Sequence, residues 1–433
     1  MLIMTKKLNK KILKMTIKIK DNPFFNDLQK VFSGNIVAQV IGFISTVIIT
    51  RNLGPEDYGV FSLLLALFTV AVQLSDFGIS TSYVKYASKD KIRAKKLFKL
   101  IIIVKVFLSI FIVFIVQNTS SFVAENLFEN RKFENLINIT AFAILFHGLF
   151  TLVLAYYQSM EKFKIFAYLS VFHNVIKAIS IIILTIIFAE KASVESYYYI
   201  YSYSAVMALL VAIIFLRKDF LDKESFIKED FEIVWSIYKM GFWVFLSSIS
   251  VIIMMRLDLM MLKNLDSTLE VGLYSAGLSL AMILPLMSAS LTTVLFPKMD
   301  RFLNALTINQ YIYKILENLK YIIIFAFIVI FAAPMLVPFM FGDDYDGAIS
   351  VFQILVVGFS VSMILNPVSL VLYSINKSHI LTVVNWIQLP LNFVGNLIMI
   401  PILSADGAAL SSVLIRVLAA VFVINYLLGL KDD

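Results

Sequence analysis

The sequence predicts an all-α integral membrane protein, with twelve transmembrane helices in two pseudo-repeated six-helix lobes around a central cavity. The first observation is composition, since 60% of the 433 residues are hydrophobic and only 15% are charged. That balance would not keep a globular domain of this length in solution. The apolar residues also gather into stretches of about 20 residues or more, enough for a helix to cross a hydrocarbon core of about 30 Å. The remaining two observations are a charge asymmetry and an internal duplication.

Twelve apolar stretches, numbered here as spans 1 to 12, account for most of the chain. They cover residues 31–50, 58–82, 97–116, 136–157, 165–189, 196–216, 241–262, 271–296, 321–341, 349–373, 379–402 and 405–429. The predicted domains follow from them. Residues 1–30 form a basic amphipathic segment expected on the inner leaflet, residues 31–216 the first lobe, 217–240 a cytoplasmic linker, and 241–433 the second lobe.

The basic residues decide the predicted orientation. Of the 37 Lys and Arg residues, 28 lie in or at the edge of one alternate set of gaps between spans, five lie in the other set, and four lie within spans. Cytoplasmic loops carry the excess of Lys and Arg, so both termini are predicted to be cytoplasmic. Most of the net charge of +8 is therefore expected at the cytoplasmic surface, where anionic headgroups attract it, and it is not interpreted as a nucleic-acid footprint.

The two halves share a motif that bridges the first and second span of each half. It reads LGPEDYGVFSLLLAL from Leu53 and LDSTLEVGLYSAGLSL from Leu265, with one extra residue in the second copy. The equivalent positions are a glycine, an aromatic residue and a serine in both copies: Gly59 and Gly272, Phe61 and Tyr274, Ser62 and Ser275. Six spans per half give both halves the same orientation, which is the parallel-repeat arrangement of some transporters.

The sequence favours a transporter over an enzyme. The longest predicted external gap, Asn118–Asn135, leaves no room for a folded catalytic domain. The chain contains no cysteine, which excludes disulfides, thiolate metal sites and a cysteine nucleophile. We therefore predict no cofactor and no metal site.

Polar residues recur at helical spacing within three spans. Because polar groups inside a bilayer are costly, such faces are predicted to line a polar cavity. The alternative is that they form hydrogen-bonded seams between helices. The residues predicted to line the cavity are Asn35 and Gln39 in span 1, His173 and Asn174 in span 5, and Asn385, Gln388 and Asn392 in span 11.

The charges inside the spans and away from their ends are Lys105, Lys177, Arg256 and Arg416 against Asp76 and Asp258. This surplus of positive charge predicts an anionic ligand such as a phosphate or pyrophosphate, because Coulomb interactions strengthen as the dielectric falls and Arg binds oxyanions bidentately. Lys177, Arg416 and Arg256 are the predicted phosphate ligands. Arg256 and Asp258 lie about 200° apart around a helix, so they are expected to point in different directions.

Three further residues are predicted to couple an ion or to pair with another charge: Asp76, Asp258 and His147. For Asp76 the alternative is a simple pair with Lys85, and for His147 it is a hydrogen-bonded packing role. For Lys105 the alternative is snorkelling toward the cytoplasmic surface.

Residues 50–88, TRNLGPEDYGVFSLLLALFTVAVQLSDFGISTSYVKYAS, resemble the polysaccharide-biosynthesis flippases of the multidrug/oligosaccharidyl-lipid/polysaccharide exporter superfamily. The residues that look like the first helical hairpin of that family are Arg51, Leu53, Gly54, Tyr58, Gly59, Asp76 and Gly78. Residues that look like the second-half counterpart are Arg256, Asp258, Gly272 and Tyr274, and Phe341, Gly342 and Tyr345 look like the loop before span 10.

The resemblance implies a bacterial or archaeal inner-membrane flippase. Such a protein moves a polyprenyl-pyrophosphate-linked oligosaccharide to the outer leaflet by alternating access, for surface polysaccharide biosynthesis. Its expected partners are that glycolipid, membrane lipids, H⁺ or Na⁺, and other glycan-assembly proteins. One alternative is a cation-coupled multidrug exporter of the same superfamily, which would favour an anionic cavity. Two others are a membrane glycan polymerase or ligase, and a scaffold that transports nothing.

Overall fold

The computed structural model describes residues 23–88, 90–189, 192–220, 227–295, 307–317, 319–375, 377 and 379–430. Within them the chain is helical, with short turns between helices. Most of the predicted inner-leaflet segment, residues 1–22, lies outside this part.

Thirteen α-helices and one 3₁₀ turn make up the described part. They are α1 Pro23–Asp76, α2 Ile79–Ala87, α3 Lys91–Asn126, α4 Lys132–Ser159, α5 Phe163–Ile187, α6 Val194–Phe220, α7 Lys228–Leu265, α8 Thr268–Ala281, α9 Ile283–Leu295, α10 Ile308–Leu316, α11 Leu319–Phe341, the 3₁₀ turn Asp343–Tyr345, α12 Ala348–Ser374 and α13 His379–Leu428.

The longest helices, α1 and α13, are each broken once. Gly54 interrupts α1 with φ 73° and ψ 170°, a conformation that glycine adopts without steric cost. Pro55 follows, and its fixed φ and missing N–H suit the first position of a new helix. In α13 the break is at Ser404, with φ 52° and ψ −131°. Both breaks fall in gaps predicted from the sequence, the first between spans 1 and 2 and the second between spans 11 and 12.

Ten helices of the described part are long and apolar enough to cross a membrane, which makes this a multi-pass membrane protein. Two of the ten contain the breaks: Ile36–Ala87, a stretch of 52 residues that covers most of α1 and all of α2, and His379–Leu428, the 50 residues of α13. Each is more than twice the length that one crossing needs. If each of these two crosses twice, the count becomes twelve. That number, like the orientation, stays a prediction.

The connecting segments of one alternate set of gaps lie together at one end of the helix bundle, where they contact one another. Lys91 pairs with Glu161 at 2.7 Å and Arg93 pairs with Glu229 at 2.8 Å, joining the gaps after spans 2, 4 and 6. The hydroxyl of Tyr311, on α10, donates to the carbonyl of Pro367 at 3.3 Å. This end is called the basic face, because it carries the lysine-rich gaps.

The other gaps meet at the opposite face. Arg51 Nε donates to the carbonyl of Met340 at 2.7 Å, and Tyr345 donates to the carbonyl of Thr50 at 2.8 Å. Lys263 pairs with Glu129 at 3.1 Å. Burial raises the pKa of the Tyr345 phenol well above its ordinary value, so this hydroxyl stays protonated and keeps donating. The predicted division of the gaps into two sets therefore corresponds to two ends of the molecule.

The connection between the predicted lobes is shorter than its predicted length. Helix α6 continues through Phe220 and α7 begins at Lys228, so the second half of the predicted linker is the first part of a 38-residue helix. Asp230, near the start of that helix, is buried and lies 3.4 Å from Arg93. This contact ties the beginning of α7 to the beginning of α3.

Candidate functional site

A cavity of about 550 Å³ lies where α1, α5 and α6 of the predicted first lobe face α7, α8 and α9 of the second. This volume is within the range of about 300–1,000 Å³ that is usual for ligand pockets. We call it the central cavity. Its polar lining residues are Gln39, Thr46, Tyr58, Ser62, Ser170, Asn174, Lys177, Tyr201, Arg256, Ser275 and Ser279. No carboxylate is among the described residues that line it.

Lys177 contributes one positive charge to the central cavity from α5. Its side chain is 6% exposed, and its Nζ lies 4.4 Å from the centre of the Tyr201 ring on α6. A cation held against an aromatic face is partly compensated there without a counter-ion. In the described part of the chain, no carboxylate lies within ion-pair distance of Lys177, so its charge remains available to an anion.

Arg256 contributes the second positive charge, from α7. Asp258, two residues further along the same helix, points away from the cavity and is 3% exposed. Its carboxylate accepts hydrogen bonds from Tyr274 at 2.6 Å and from Asn396 at 2.7 Å. The sequence-based expectation that Arg256 and Asp258 face different surroundings is confirmed, because residues two positions apart lie on different sides of a helix.

The repeated motif lies between the central cavity and the opposite face. Gly59 and Gly272 are in backbone contact: a Cβ on Gly59 would lie 2.0 Å from the Thr268 carbonyl oxygen, and one on Gly272 would lie 1.7 Å from the Pro55 carbonyl oxygen. Ser62 and Ser275, one turn further along in each copy, both line the cavity. Positions equivalent in sequence are thus equivalent in space, as a pseudo-two-fold arrangement requires. We call this contact the glycine seam.

A second polar cluster lies inside the predicted second lobe, around Asp258. Besides Tyr274 and Asn396, Ser412 donates to this carboxylate at 2.8 Å. Asn392 in turn donates to Ser412 at 3.2 Å. The cluster joins α7, α8 and α13, and with two amides and two hydroxyls around one carboxylate it offers oxygen atoms to a hard cation.

Arg416 lies beside the Asp258 cluster and is not among the described residues that line the central cavity. Its guanidinium carbon is 4.7 Å from the centre of the Phe359 ring, and it interacts electrostatically with Asp258 and Tyr274. The sequence placed Arg416 in span 12, but the direction of its side chain follows from how α13 packs. The geometry therefore gives Arg416 no contact with the predicted phosphate site.

The polar face of span 11 is also turned away from the central cavity. Asn392 is hydrogen-bonded in the Asp258 cluster, while Gln388 donates to Asn385 at 3.3 Å. Gln388 lines an apolar groove between the two parts of α13, and Asn385 lines a separate pocket at the basic face. For Asn392 the alternative interpretation, an interhelical hydrogen-bond seam, describes what is found. In span 1, Gln39 lines the central cavity, and the side chain of Asn35 lies outside the described residues.

Asp76 and Lys105 form an ion pair inside the predicted first lobe. Their atoms Oδ1 and Nζ are 2.5 Å apart, and Ser80 also donates to Asp76. Lys105 is fully buried, so it does not snorkel to the surface, and the partner of Asp76 is Lys105 rather than Lys85. The pair neutralises itself. The surplus of positive charge within the spans therefore comes from the other side chains.

The two histidines of the first lobe pack against each other near Lys177. The ring centres of His147 and His173 are 5.6 Å apart, edge to face. His173 Nε2 shares a hydrogen bond with Ser204 at 2.8 Å, while His147 Nε2 is buried and has no partner among the described residues. Neither ring lines the central cavity, although His173 precedes Lys177 by one helical turn. Asn174, beside it, does line the cavity.

Some residues that line the central cavity were not predicted from the sequence, although two of them carried a usable signal. Ser62 and Ser275 were aligned by the duplication but not assigned to the cavity. Tyr201 belongs to an aromatic run that is typical of a membrane interface. Only its contact with Lys177 shows that it also lines the central cavity. Tyr58, buried in the seam region, carried no signal beyond its place in the motif.

Comparison with known proteins decides the family. Residues 30–303 match the family model described as "Polysaccharide biosynthesis protein". The chain belongs to this family. The matched region contains the stretch 50–88 on which the resemblance was based, and it covers Lys177 and Arg256.

One known sequence and two solved structures are similar to this chain. An uncharacterized membrane protein in the cps region of Klebsiella pneumoniae is 25% identical over 377 residues, which are 84% of this chain and 72% of that protein. The lipid II flippase MurJ, in an inward closed conformation, shares the fold with a TM-score of 0.73 at 15% identity, over 92% of this chain and 88% of MurJ. An inward-facing multidrug resistance MATE family transporter of the MOP superfamily gives a TM-score of 0.67 at 14% identity, over 90% of this chain and 93% of that transporter. The fold is therefore the one that MurJ and the MATE family transporter share.

Proposed function

We propose that the protein is a flippase that moves a polyprenyl-pyrophosphate-linked oligosaccharide from the inner to the outer leaflet of the cell inner membrane by alternating access, for surface polysaccharide biosynthesis. One observation carries the proposal: the central cavity holds two cations from different lobes, and no carboxylate is among the described residues that line it. Membership of the polysaccharide biosynthesis family and the flippase-like fold support the same class of substrate.

In this proposal Lys177 and Arg256 bind the phosphates. Arginine offers paired N–H donors that match an oxyanion, whereas lysine supplies a compact charge. Gln39, Asn174 and Ser279 add amide and hydroxyl groups that suit the hydroxyls of a sugar. The prenyl tail remains in lipid, because burying it in a polar cavity would forfeit its apolar environment.

The glycine seam supplies the gate on the opposite face. Closed, it separates the central cavity from that face, and translocation requires the two lobes to part there. Backbone contact between glycines permits close approach without interlocking side chains. Two hydrogen bonds between the lobes also have to break. Arg51 of the first lobe donates to the Met340 carbonyl of the second, and Tyr345 of the second donates to the Thr50 carbonyl of the first.

Asp258 is the proposed coupling residue for Na⁺ or H⁺. Its carboxylate is buried and lies among hydroxyl and amide groups, and a buried acidic residue in a membrane helix is a functional candidate because its charge is costly there. Asp76, by contrast, is in direct ion-pair contact with Lys105, whereas Arg416 interacts with Asp258 from beyond ion-pair distance. His147 is a weaker candidate, since the geometry shows it packed between Phe68 and His173.

The charge of the central cavity and the short connection between α3 and α4 argue against the alternative functions. A cation-coupled drug exporter would favour an anionic cavity, and here the lining is cationic. A polymerase or ligase needs a sizeable external domain, but α3 continues to Asn126 and α4 begins at Lys132. The longest predicted external gap is therefore mostly helix, with no room for a catalytic domain between these two helices.

The test measures which lipid-linked saccharide accumulates on the cytoplasmic face of cells that lack the chromosomal gene and carry a variant. Lys177→Gln and Arg256→Gln each remove a charge-assisted contact and are expected to slow translocation about tenfold or more. Lys164→Gln, on the exposed start of the same helix as Lys177, removes one charge outside the cavity and should leave translocation unchanged. Normal translocation in both cavity variants, at normal membrane levels, would refute the assigned roles.

A further inference from the structure

A second and larger pocket, of about 810 Å³, lies at the basic face between α2, α7 and α13. It shares no lining residue with the central cavity. The two lobes form opposite walls, since α2 comes from the first half of the chain and α7 and α13 from the second. We call it the basic-face pocket.

Two lysines give the basic-face pocket its charge. Lys85 comes from the last turn of α2 and Lys239 from α7. Both side chains are exposed, and in the described part of the chain neither has a carboxylate within ion-pair distance. No carboxylate is among the described lining residues. Lys239 Nζ lies 5.9 Å from the centre of the Trp235 ring, a contact that leaves its positive charge in place. A pocket whose opposite walls each present an ammonium group attracts a multiply charged anion.

The rest of the lining suits the polar part of an amphipathic ligand. Ser247, Thr382 and Asn385 place hydroxyl and amide groups inside the pocket. Trp243, also in the lining, is 68% exposed and stands next to the exposed Phe242. Exposed aromatic side chains beside lysines are typical of the depth at which lipid headgroups meet acyl chains.

We propose that the basic-face pocket binds the phosphorylated headgroup of a membrane lipid. Lys85 and Lys239 contact the phosphate, the hydroxyl and amide groups contact what the phosphate carries, and Trp243 lies against the first part of the lipid tail. Because the ligand contacts both walls, its binding holds the two lobes together at this face. The site is independent of the central cavity and does not require that the protein transport what it binds here.

Binding is measured by tryptophan fluorescence on the purified full-length protein in detergent. The chain has three tryptophans, so Trp235→Phe with Trp386→Phe leaves Trp243 as the single reporter. The probes are farnesyl pyrophosphate, dioleoyl phosphatidylglycerol, inorganic pyrophosphate and, as the uncharged match, farnesol. The test variant is Lys85→Gln with Lys239→Gln. Lys164→Gln with Lys228→Gln is the control, because it removes two exposed charges of the same face outside the pocket.

We expect a saturable change in Trp243 fluorescence with at least one phosphorylated lipid and none with farnesol. Removing both pocket lysines should weaken that binding about tenfold, whereas the control pair should not change it. Farnesyl pyrophosphate binding alone would identify a prenyl-linked lipid, and phosphatidylglycerol binding alone a bulk lipid. A response to inorganic pyrophosphate without either lipid, or equal binding by the pocket and control variants, would overturn the proposal. Lys177→Gln with Arg256→Gln should leave the Trp243 response intact, which separates this site from the proposed transport function.

Discussion

Substituting Gly59 by alanine should open the opposite face. The added Cβ would lie 2.0 Å from the Thr268 carbonyl oxygen and 3.0 Å from the Gly272 nitrogen. Since favourable carbon contacts lie near 3.5 Å, the two helices have to separate by about 1.5 Å. Both nearest atoms belong to backbone, so no side chain can rotate away to relieve the overlap.

The magnitude follows from the cost of inserting a methyl group into a packed contact, about 1–3 kcal/mol. This cost applies only while the glycine seam is closed. The equilibrium between closed and open seam should therefore shift about 5- to 150-fold toward the open form. Gly429→Ala is the matched control, because its added methyl lies no closer than 3.3 Å to any neighbouring atom.

The assay uses the absence of native cysteines. Ser275→Cys places a single thiol in the central cavity, and intact cells are treated with a maleimide that does not cross the membrane. Gly59→Ala should speed labelling of this thiol and Gly429→Ala should not. Ser109→Cys, fully buried outside the cavity, reports misfolding if it becomes reactive.

An unchanged labelling rate in a folded Gly59→Ala protein would refute the seam as the gate of the cavity. Faster labelling seen only in inverted vesicles has a different meaning. It would keep the seam as a gate but place this face in the cytoplasm, against the orientation predicted from the basic residues.

Three further predictions concern single charges. Asp76→Asn leaves Lys105 buried without its partner and should lower the free energy of unfolding by about 3–5 kcal/mol, which would be seen as a lower melting temperature in detergent. Asp76→Asn combined with Lys105→Met should recover most of that loss. Equal stability of the wild type, the single variant and the double variant would contradict this account. Arg51→Gln removes the hydrogen bonds that Arg51 donates to the carbonyls of Met340 and Phe339 and should raise Ser275→Cys labelling less than Gly59→Ala does. Asp258→Asn should make translocation insensitive to the Na⁺ or proton gradient, and gradient dependence equal to wild type would exclude Asp258 as the coupling residue.

Periodicity and residue type predicted part of the candidate site, and packing decided the rest. Lys177, Arg256, Gln39 and Asn174 were predicted to line a cavity, and they do. Arg416 has the same kind of sequence context as Lys177, yet it stacks on Phe359 inside the second lobe. A polar residue in a span reports that its helix needs a polar partner at that depth, but it does not say whether that partner is a ligand or another helix.

The two lysines of the first lobe show the same limit. Lys105 and Lys177 both lie inside predicted spans. Lys177 was predicted to bind phosphate, whereas for Lys105 the alternative was snorkelling toward the cytoplasmic surface. The structure buries both side chains, and what lies opposite each one separates their roles. Asp76 neutralises Lys105, whereas Lys177 meets the Tyr201 ring and stays available. Asp76 and Lys105 are 29 residues apart in sequence, and no periodicity within one helix could join them.

The sequence by itself determined the all-helical membrane architecture, the division of the connecting segments between two faces, and the repeated motif that forms the glycine seam. The first two follow from hydrophobicity and charge distributed along the chain, which act through the surrounding lipid and water and need no knowledge of neighbouring helices, and the third follows from the match between the two halves of the sequence. Only the tertiary structure decided which cations face the central cavity, which one lies beside Asp258, and that a second cationic pocket opens at the basic face. Those outcomes depend on the rotation of each helix about its own axis, which is set by packing against helices distant in sequence.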